Sequence, residues 1–182
     1  MTKKISLNGE WRLNFFSVGT PLIPAERVEF DDSGWYACKV PGEVHLDMMA
    51  AGVIKDPFFG KNAEDCAWME DKEWWYRKSF NVPKDLKKDK VELVFHGLDT
   101  FATIYLNGEQ IGKHENMFTP CRIDVTEKLN YDGKNVLAVR LDSPLRGTLS
   151  RVRDYDFARQ ASFYIWSDPF RVYVRKVACS WG

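Results

Sequence analysis

Apolar and polar residues alternate along most of the chain, and a period of two predicts β-strands rather than helices. Trp11, Leu13 and Phe15 alternate with Arg12 and Asn14 after a turn at Asn8-Gly9. Val91, Leu93 and Phe95 alternate with Glu92 and Val94, and Gly97 closes that segment. Residues 101–106 lead into Asn107-Gly108, a strong hairpin signal because both residue types tolerate positive φ. Residues 110–114 supply the return strand. A further strand over 74–80 is stopped by Pro83, which has no N–H for a ladder. A short strand is predicted over 121–125, and two more over 136–141 and 170–177, the last with Val172 and Val174 on one face.

One segment reads as helical. Pro41-Gly42 precedes residues 43–51, where Val44, Met48 and Met49 approach helical spacing and Gly52 offers a C-terminal stop. Eight or nine short strands separated by turn signals predict an antiparallel sandwich or jelly roll. No internal repeat, low-complexity tract or linker interrupts the chain, so residues 1–182 read as a single domain. Two stretches, 55–72 and 143–168, stay long and irregular, the kind of segment that is commonly functional.

Composition narrows the function classes. The 182 residues carry 26 basic and 26 acidic side chains. This balance argues against nucleic acid, whose recognition draws on a clustered basic surplus. No apolar run reaches the roughly 18–20 residues of a bilayer span, so no membrane partner is expected. The opening Met1-Thr2-Lys3-Lys4 leads into the alternating pattern without a secretion-type apolar stretch; the compartment stays open. Cys38, Cys66, Cys121 and Cys179 are scattered, as are His45, His96 and His114. No metal-ligand spacing appears, and the cysteines are expected to be reduced and buried as small hydrophobes. No cofactor is expected. The seven tryptophans either thicken a core or stack on flat ligands such as sugar rings, and composition does not separate the two uses.

No nucleophile motif, phosphate-cradling loop or dinucleotide fingerprint is present. A glycosidase needs two carboxylates about 5–5.5 Å or 6.5–9.5 Å apart. Glu64, Asp65, Glu70, Asp71 and Glu73 crowd one loop and Asp154 and Asp156 another, but acidic loop residues are ordinarily solvated or engaged in turns. Asp31-Asp32-Ser33 reads as turn chemistry with no further role. The segment from Asp56 to Trp75 mixes Phe58, Trp68 and Trp74 with Asn62, Glu64 and Glu70. A sugar site wants this combination, an aromatic face for the C–H side of a ring and polar forks for hydroxyl pairs. A roof over the core, with the polar groups serving loop backbone, would use the same residues. In the second long loop, Arg146, Arg151, Arg153 and Arg159 surround Asp154, Tyr155 and Asp156, which suits either local pairing or a partner's carboxylates.

At these motifs the sequence resembles the β-mannosidases of glycoside hydrolase family two. The resemblance is carried by Leu7-Asn8-Gly9-Glu10-Trp11, by Val40-Pro41-Gly42-Glu43-Val44-His45, and by Asp56-Pro57-Phe58-Phe59-Gly60-Lys61-Asn62 through Trp75-Tyr76-Arg77-Lys78-Ser79-Phe80. It continues through Phe95-His96-Gly97-Leu98-Asp99-Thr100, Leu106-Asn107-Gly108, Asn116-Met117-Phe118 and Asp124-Val125-Thr126, and ends with Val174-Arg175-Lys176 and Cys179-Ser180-Trp181-Gly182. The blocks occur in order over nearly the whole chain and fade between residues 144 and 168.

The resemblance implies an all-β, antiparallel jelly-roll β-sandwich of the galactose-binding-domain-like type with one short helix. It further implies a non-catalytic sugar-binding N-terminal domain, truncated from a larger multidomain hydrolase that removes terminal β-mannosyl residues. In that family both reacting glutamates belong to a (β/α) barrel, so no catalytic role falls on any residue here. The family pattern continues past the position of Gly182 into a Trp-Asp-Trp stretch whose aspartate reaches toward substrate. The implied partners are carbohydrate chain ends, β-mannosides, held jointly with the catalytic domains. Asn62, Glu64 and Trp68 become the candidate residues of a loop that lines or supports one wall of the pocket. A free-standing carbohydrate-binding module or lectin and a purely structural buttress are the competing readings.

Overall fold

The computed structural model describes residues 3–20 and 24–144. Among these, the chain runs β1 (Gly9–Ser17), β2 (Tyr36–Val40), α1 (Val44–Ala50), α2 (Asn62–Asp65), β3 (Lys72–Val82), β4 (Glu92–Phe95), β5 (Ala102–Leu106), β6 (Glu109–His114), β7 (Cys121–Asp124) and β8 (Gly133–Leu141). Short 3-10 turns occupy Ala67–Asp71 and Lys84–Leu86. The described strands pair antiparallel in two sheets, one ordered β2-β1-β3-β8-β5-β6 and the other β4-β7. The architecture is the antiparallel, strand-dominated sandwich expected from the period of two. The predicted strand over 170–177 lies outside the described residues, as do Arg146, Arg151, Arg153, Arg159 and Cys179.

Alternation dictates which residues fill the space between the sheets. Trp11 and Leu13 from β1, Trp74 from β3, Leu137 and Val139 from β8 and Ile104 from β5 form one apolar cluster. Cys121, Leu93, Phe95 and Ile123 from the smaller sheet pack against it. Helix α1 closes one end by burying Met48 in the same cluster. Glu43 caps it by accepting from the His45 N–H, and the Gly52 and Val53 N–H groups donate back to Met49 and Met48. Cys38, Cys66 and Cys121 are free and buried, as expected of thiols used for packing. Burial pushes the Cys38 thiol up to about 12, assisted by the Asp47 carboxylate, so it stays protonated and unreactive near neutral pH.

Two strand-level features differ from the sequence expectation. Strand β2 carries no strong signal because Ala37 and Lys39, which point outward, are poor strand formers; it forms because Tyr36, Cys38 and Val40 turn into the core beside β1. The irregular 55–72 segment contains the single turn α2 and the 3-10 turn at Ala67–Asp71. Such one-turn elements are too short for a helical period to register.

The opposite face of the larger sheet is covered as well. Trp75, Ala138 and Tyr105 meet Ala25, Phe30 and Trp35 of the segment that leads into β2. Arg77, 2% exposed, rises from β3 into that segment. Its guanidinium donates to the carbonyls of Ala25, Arg27 (3.1 Å) and Phe30 (3.3 Å), and its Nε donates to Asp32 Oδ2 at 2.9 Å. The Asp31-Asp32-Ser33 triplet therefore does more than turn. Asp31 does accept from the Ser33 N–H, but Asp32 supplies the counter-charge for a buried cation. A buried guanidinium without such a partner would be strongly unfavourable. Sequence spacing did not show this because 45 residues separate the two groups.

The Asn107-Gly108 hairpin is present, with φ of 52° and 87° at the two residues and Leu106 opposite Glu109, as a two-residue loop twisted to match its strands requires. Asn107 also reaches across to β8: its Oδ1 accepts from the Val136 N–H, and its Nδ2 donates to Lys128 O and Asn135 Oδ1. Asn135, fully buried, completes the network by accepting from the Asn130 N–H and donating to the carbonyls of Asn130 and Gly133.

Near the start of β3, Glu73 sits on the Arg77 side of the sheet with Arg140 and Asp142, which lie 2.6 Å apart. Burial pushes the Glu73 carboxyl above its ordinary value; Arg140 opposes the shift and Asp142 adds to it. The folded state thus favours the protonated acid. Its contribution is fully present below the unfolded value and is lost as pH rises through the folded one. Glu73→Gln is accordingly expected to raise stability by about 0.5 kcal/mol at pH 7, a modest figure because the group is partly solvated. The gain should vanish as pH falls to the ordinary glutamate value near 4.5, which urea melts at the two pH values would read directly.

Candidate functional site

The segment between α1 and β3 is built largely by its own main chain. Asp56 starts it as an Asx turn: its Oδ1 accepts from the Phe58 N–H at 2.9 Å, and its carbonyl accepts from the Phe59 N–H at 3.2 Å. Gly60 follows with φ of 59°, a left-handed conformation that a side chain would strain. Asn62 closes the turn twice, its backbone N–H donating to Phe59 O and its Nδ2 to Asp56 O at 2.8 Å. Successive turn bonds, Glu64 N–H to Lys61 O, Cys66 N–H to Ala63 O and Met69 N–H to Cys66 O, carry the chain through α2 and the 3-10 turn. Trp74 Nε1 donates back to Met69 O, and Ser143 Oγ, just after β8, donates to Glu70 O.

The three residues expected at this loop are placed differently from one another. Trp68 packs on the core, its ring centroid 4.9 Å from Phe15 and 6.2 Å from Trp74. Asn62 braces the turn through its amide while also facing a hollow. Glu64 is exposed on α2, and its carboxylate enters no hydrogen bond or ion pair among the described residues. Trp68 and Trp74 thus help to roof the core, whereas Phe58, 94% exposed, does not.

Asn62 and Trp68 meet at a hollow of about 200 Å³, whose other walls are Val53, Ile54, Lys55, Asp65 and Cys66. One side is apolar (Val53, Ile54 and the indole of Trp68), and the other offers an amide, an ammonium and a carboxylate. This is an amphipathic lining of the kind that suits a ring with a C–H face and hydroxyl edges. Sequence reasoning missed Val53, Ile54, Lys55 and Asp65 as wall residues. Val53 and Ile54 fall between the helix stop at Gly52 and the irregular 55–72 segment, where no pattern singles them out, and Asp65 reads only as one of a crowd of carboxylates. A second hollow of about 300 Å³ lies by Arg12, Asp32, Arg77 and Lys78. Its cations are committed to carbonyls: Lys78 donates to Glu10 O, Arg12 to Trp35 O, and Arg77 to the covering segment. Among the described residues no group of three or more His, Cys, Asp or Glu side chains could hold a metal ion, and no helix is long and apolar enough to cross a membrane.

Residues 25–182 match the family model described as the glycosyl hydrolase 2 galactose-binding domain-like domain. The chain belongs to that family. It is 39% identical over 144 residues to β-mannosidase B of Aspergillus flavus, covering 79% of this chain and 17% of that protein. Against β-mannosidase B of Emericella nidulans it is 34% identical over 174 residues, covering 90% of this chain and 20% of the relative. The crystal structure of a β-D-mannosidase from Dictyoglomus thermophilum superposes with a TM-score of 0.72 at 35% identity, over 91% of this chain and 21% of that one. A Lactobacillus rhamnosus β-glucuronidase superposes at 0.56 with 25% identity, over 75% of this chain and 20% of that one. The chain spans about a fifth of the length of the curated relatives it matches.

Proposed function

We propose that this chain is the non-catalytic, N-terminal sugar-binding domain of a β-mannosidase that removes terminal β-mannosyl residues, with its 55–72 loop forming one wall of the substrate pocket. The observation that carries the reading is the identity to β-mannosidases sustained over nine-tenths of the chain. The amphipathic hollow beside Trp68 supports it, because a wall that meets a chain end must offer both an apolar face and hydroxyl partners. On this reading the reacting carboxylates belong to the rest of the hydrolase. This domain contributes orientation and the exclusion of water from one side of the sugar. Asn62 acts by holding the turn in position, and Glu64 supplies an uncommitted carboxylate for a hydroxyl pair.

In the full-length hydrolase, Asn62→Ala and Glu64→Gln are each expected to lower kcat/KM on an aryl β-mannoside by about tenfold, equivalent to one lost hydrogen bond to a charged or well-placed group. The 182-residue chain alone is expected to show no turnover. Unchanged kinetics in both variants would make the domain a structural buttress. Micromolar binding of a manno-oligosaccharide by the 182-residue chain, measured by titration calorimetry, would instead make it a self-sufficient binding module.

A further inference from the structure

The tip of the 55–72 loop presents two adjacent phenyl rings to solvent, Phe58 at 94% and Phe59 at 76% exposure. Together they expose on the order of 300 Å² of apolar surface, as much as the largest patch on a typical monomer. The tip is preorganised: the Asp56 carboxylate and carbonyl, the Gly60 conformation and both Asn62 donors fix the backbone beneath the rings. We propose that Phe58 and Phe59 form a docking knuckle that inserts into an apolar groove on the catalytic part of the same longer polypeptide. This rests on the reading of the preceding subsection, and it names the contact that holds the proposed wall in place.

Three observations select this occupant. Asp56 Oδ1 and the Asn62 amide nitrogen brace the turn, and neither ring lines the hollow that carries Lys55 and Asp65. The amphipathic lining that suits a glycan therefore belongs to the hollow and not to the rings. A second copy of the chain is disfavoured by area, since a stable dimer buries about 800 Å² per partner. A covalently linked domain needs far less, because the tether supplies a high effective concentration, and the matched relatives are between four and five times as long as this chain.

Hydroxyl-radical footprinting with peptide mapping tests the proposal without any substitution. Phe58 and Phe59 are expected to be oxidised readily in the 182-residue chain and about tenfold more slowly in the full-length hydrolase, as for side chains enclosed at an interface centre. Equal rates in the two would overturn it. Protection that grows with concentration in the 182-residue chain would assign the rings to self-association, and protection in the full-length protein only when manno-oligosaccharide is added would assign them to glycan; either overturns the docking. A full-length protein with protected rings and no activity on β-mannosides would keep the docking and remove the β-mannosidase reading. An active one with unprotected rings would do the reverse.

Discussion

Replacing Arg77 by methionine is expected to destabilise the fold by about 3–5 kcal/mol, the range seen when one member of a buried ion pair is removed. The side chain is 2% exposed, and its donors serve three carbonyls and the Asp32 carboxylate. Methionine fills much of the volume but leaves these acceptors in an apolar setting without donors. Against a typical stability of about 5–15 kcal/mol, the loss is a large fraction of the whole. Arg77→Lys separates charge from geometry: it keeps the cation but offers a point charge where a planar fork is used, so an intermediate loss of about 2 kcal/mol is expected. Urea denaturation followed by tryptophan emission reads both, because Trp35 and Trp75 sit in the cluster that Arg77 closes. A midpoint within error of the parent in both variants would show that the covering segment is held by apolar contact alone.

The second large effect is expected at Asn135. Its side chain makes four hydrogen bonds, accepting from Asn130 N–H and Asn107 Nδ2 and donating to Asn130 O and Gly133 O. Asn135→Ala leaves all four partners short of one bond at a position with no solvent access. With about 1–3 kcal/mol for each buried group left unmatched, and partial rescue by entering water, a net loss of about 3 kcal/mol follows. Asn135→Asp is the sharper probe. It keeps the shape and both acceptor bonds but turns an oxygen toward the carbonyls of Asn130 and Gly133, so it should cost at least as much at pH 7. Equal stability of parent and Asp variant in thermal melts would refute the donor assignment.

Local chemistry made much of this fold legible in advance. The alternation of Trp11, Leu13 and Phe15 and the Asn107-Gly108 pair each act within a few residues, and the structure has β1 and the β5–β6 hairpin where they were expected. The same holds for the capped helix after Pro41-Gly42. What stayed hidden acts over long separations. The Asp32–Arg77 pair spans 45 residues, and the Asn107–Asn135 contact spans 28. Neither residue of either pair differs from an ordinary turn or surface residue until the sheet brings them together. At the candidate site, residue types marked the segment that carries the hollow, yet they did not distinguish Trp68, which packs on Phe15, from Glu64, which faces water. Orientation around a single turn of helix is decided by packing against Phe15 and Trp74, and no periodicity of four residues can announce it.

The 55–72 loop keeps its shape through carbonyl and amide groups, with Asp56, Gly60 and Asn62 as its few side-chain-specific requirements. Positions 58, 59, 61, 63 and 64 project outward from that frame. Evolution can therefore exchange residues at those five places with little penalty to folding, trying new surfaces on an unchanged support. Divergence within such a lineage should concentrate at 61 and 63, which carry neither the docking rings nor the Glu64 carboxylate, while the aspartate, glycine and asparagine beneath persist.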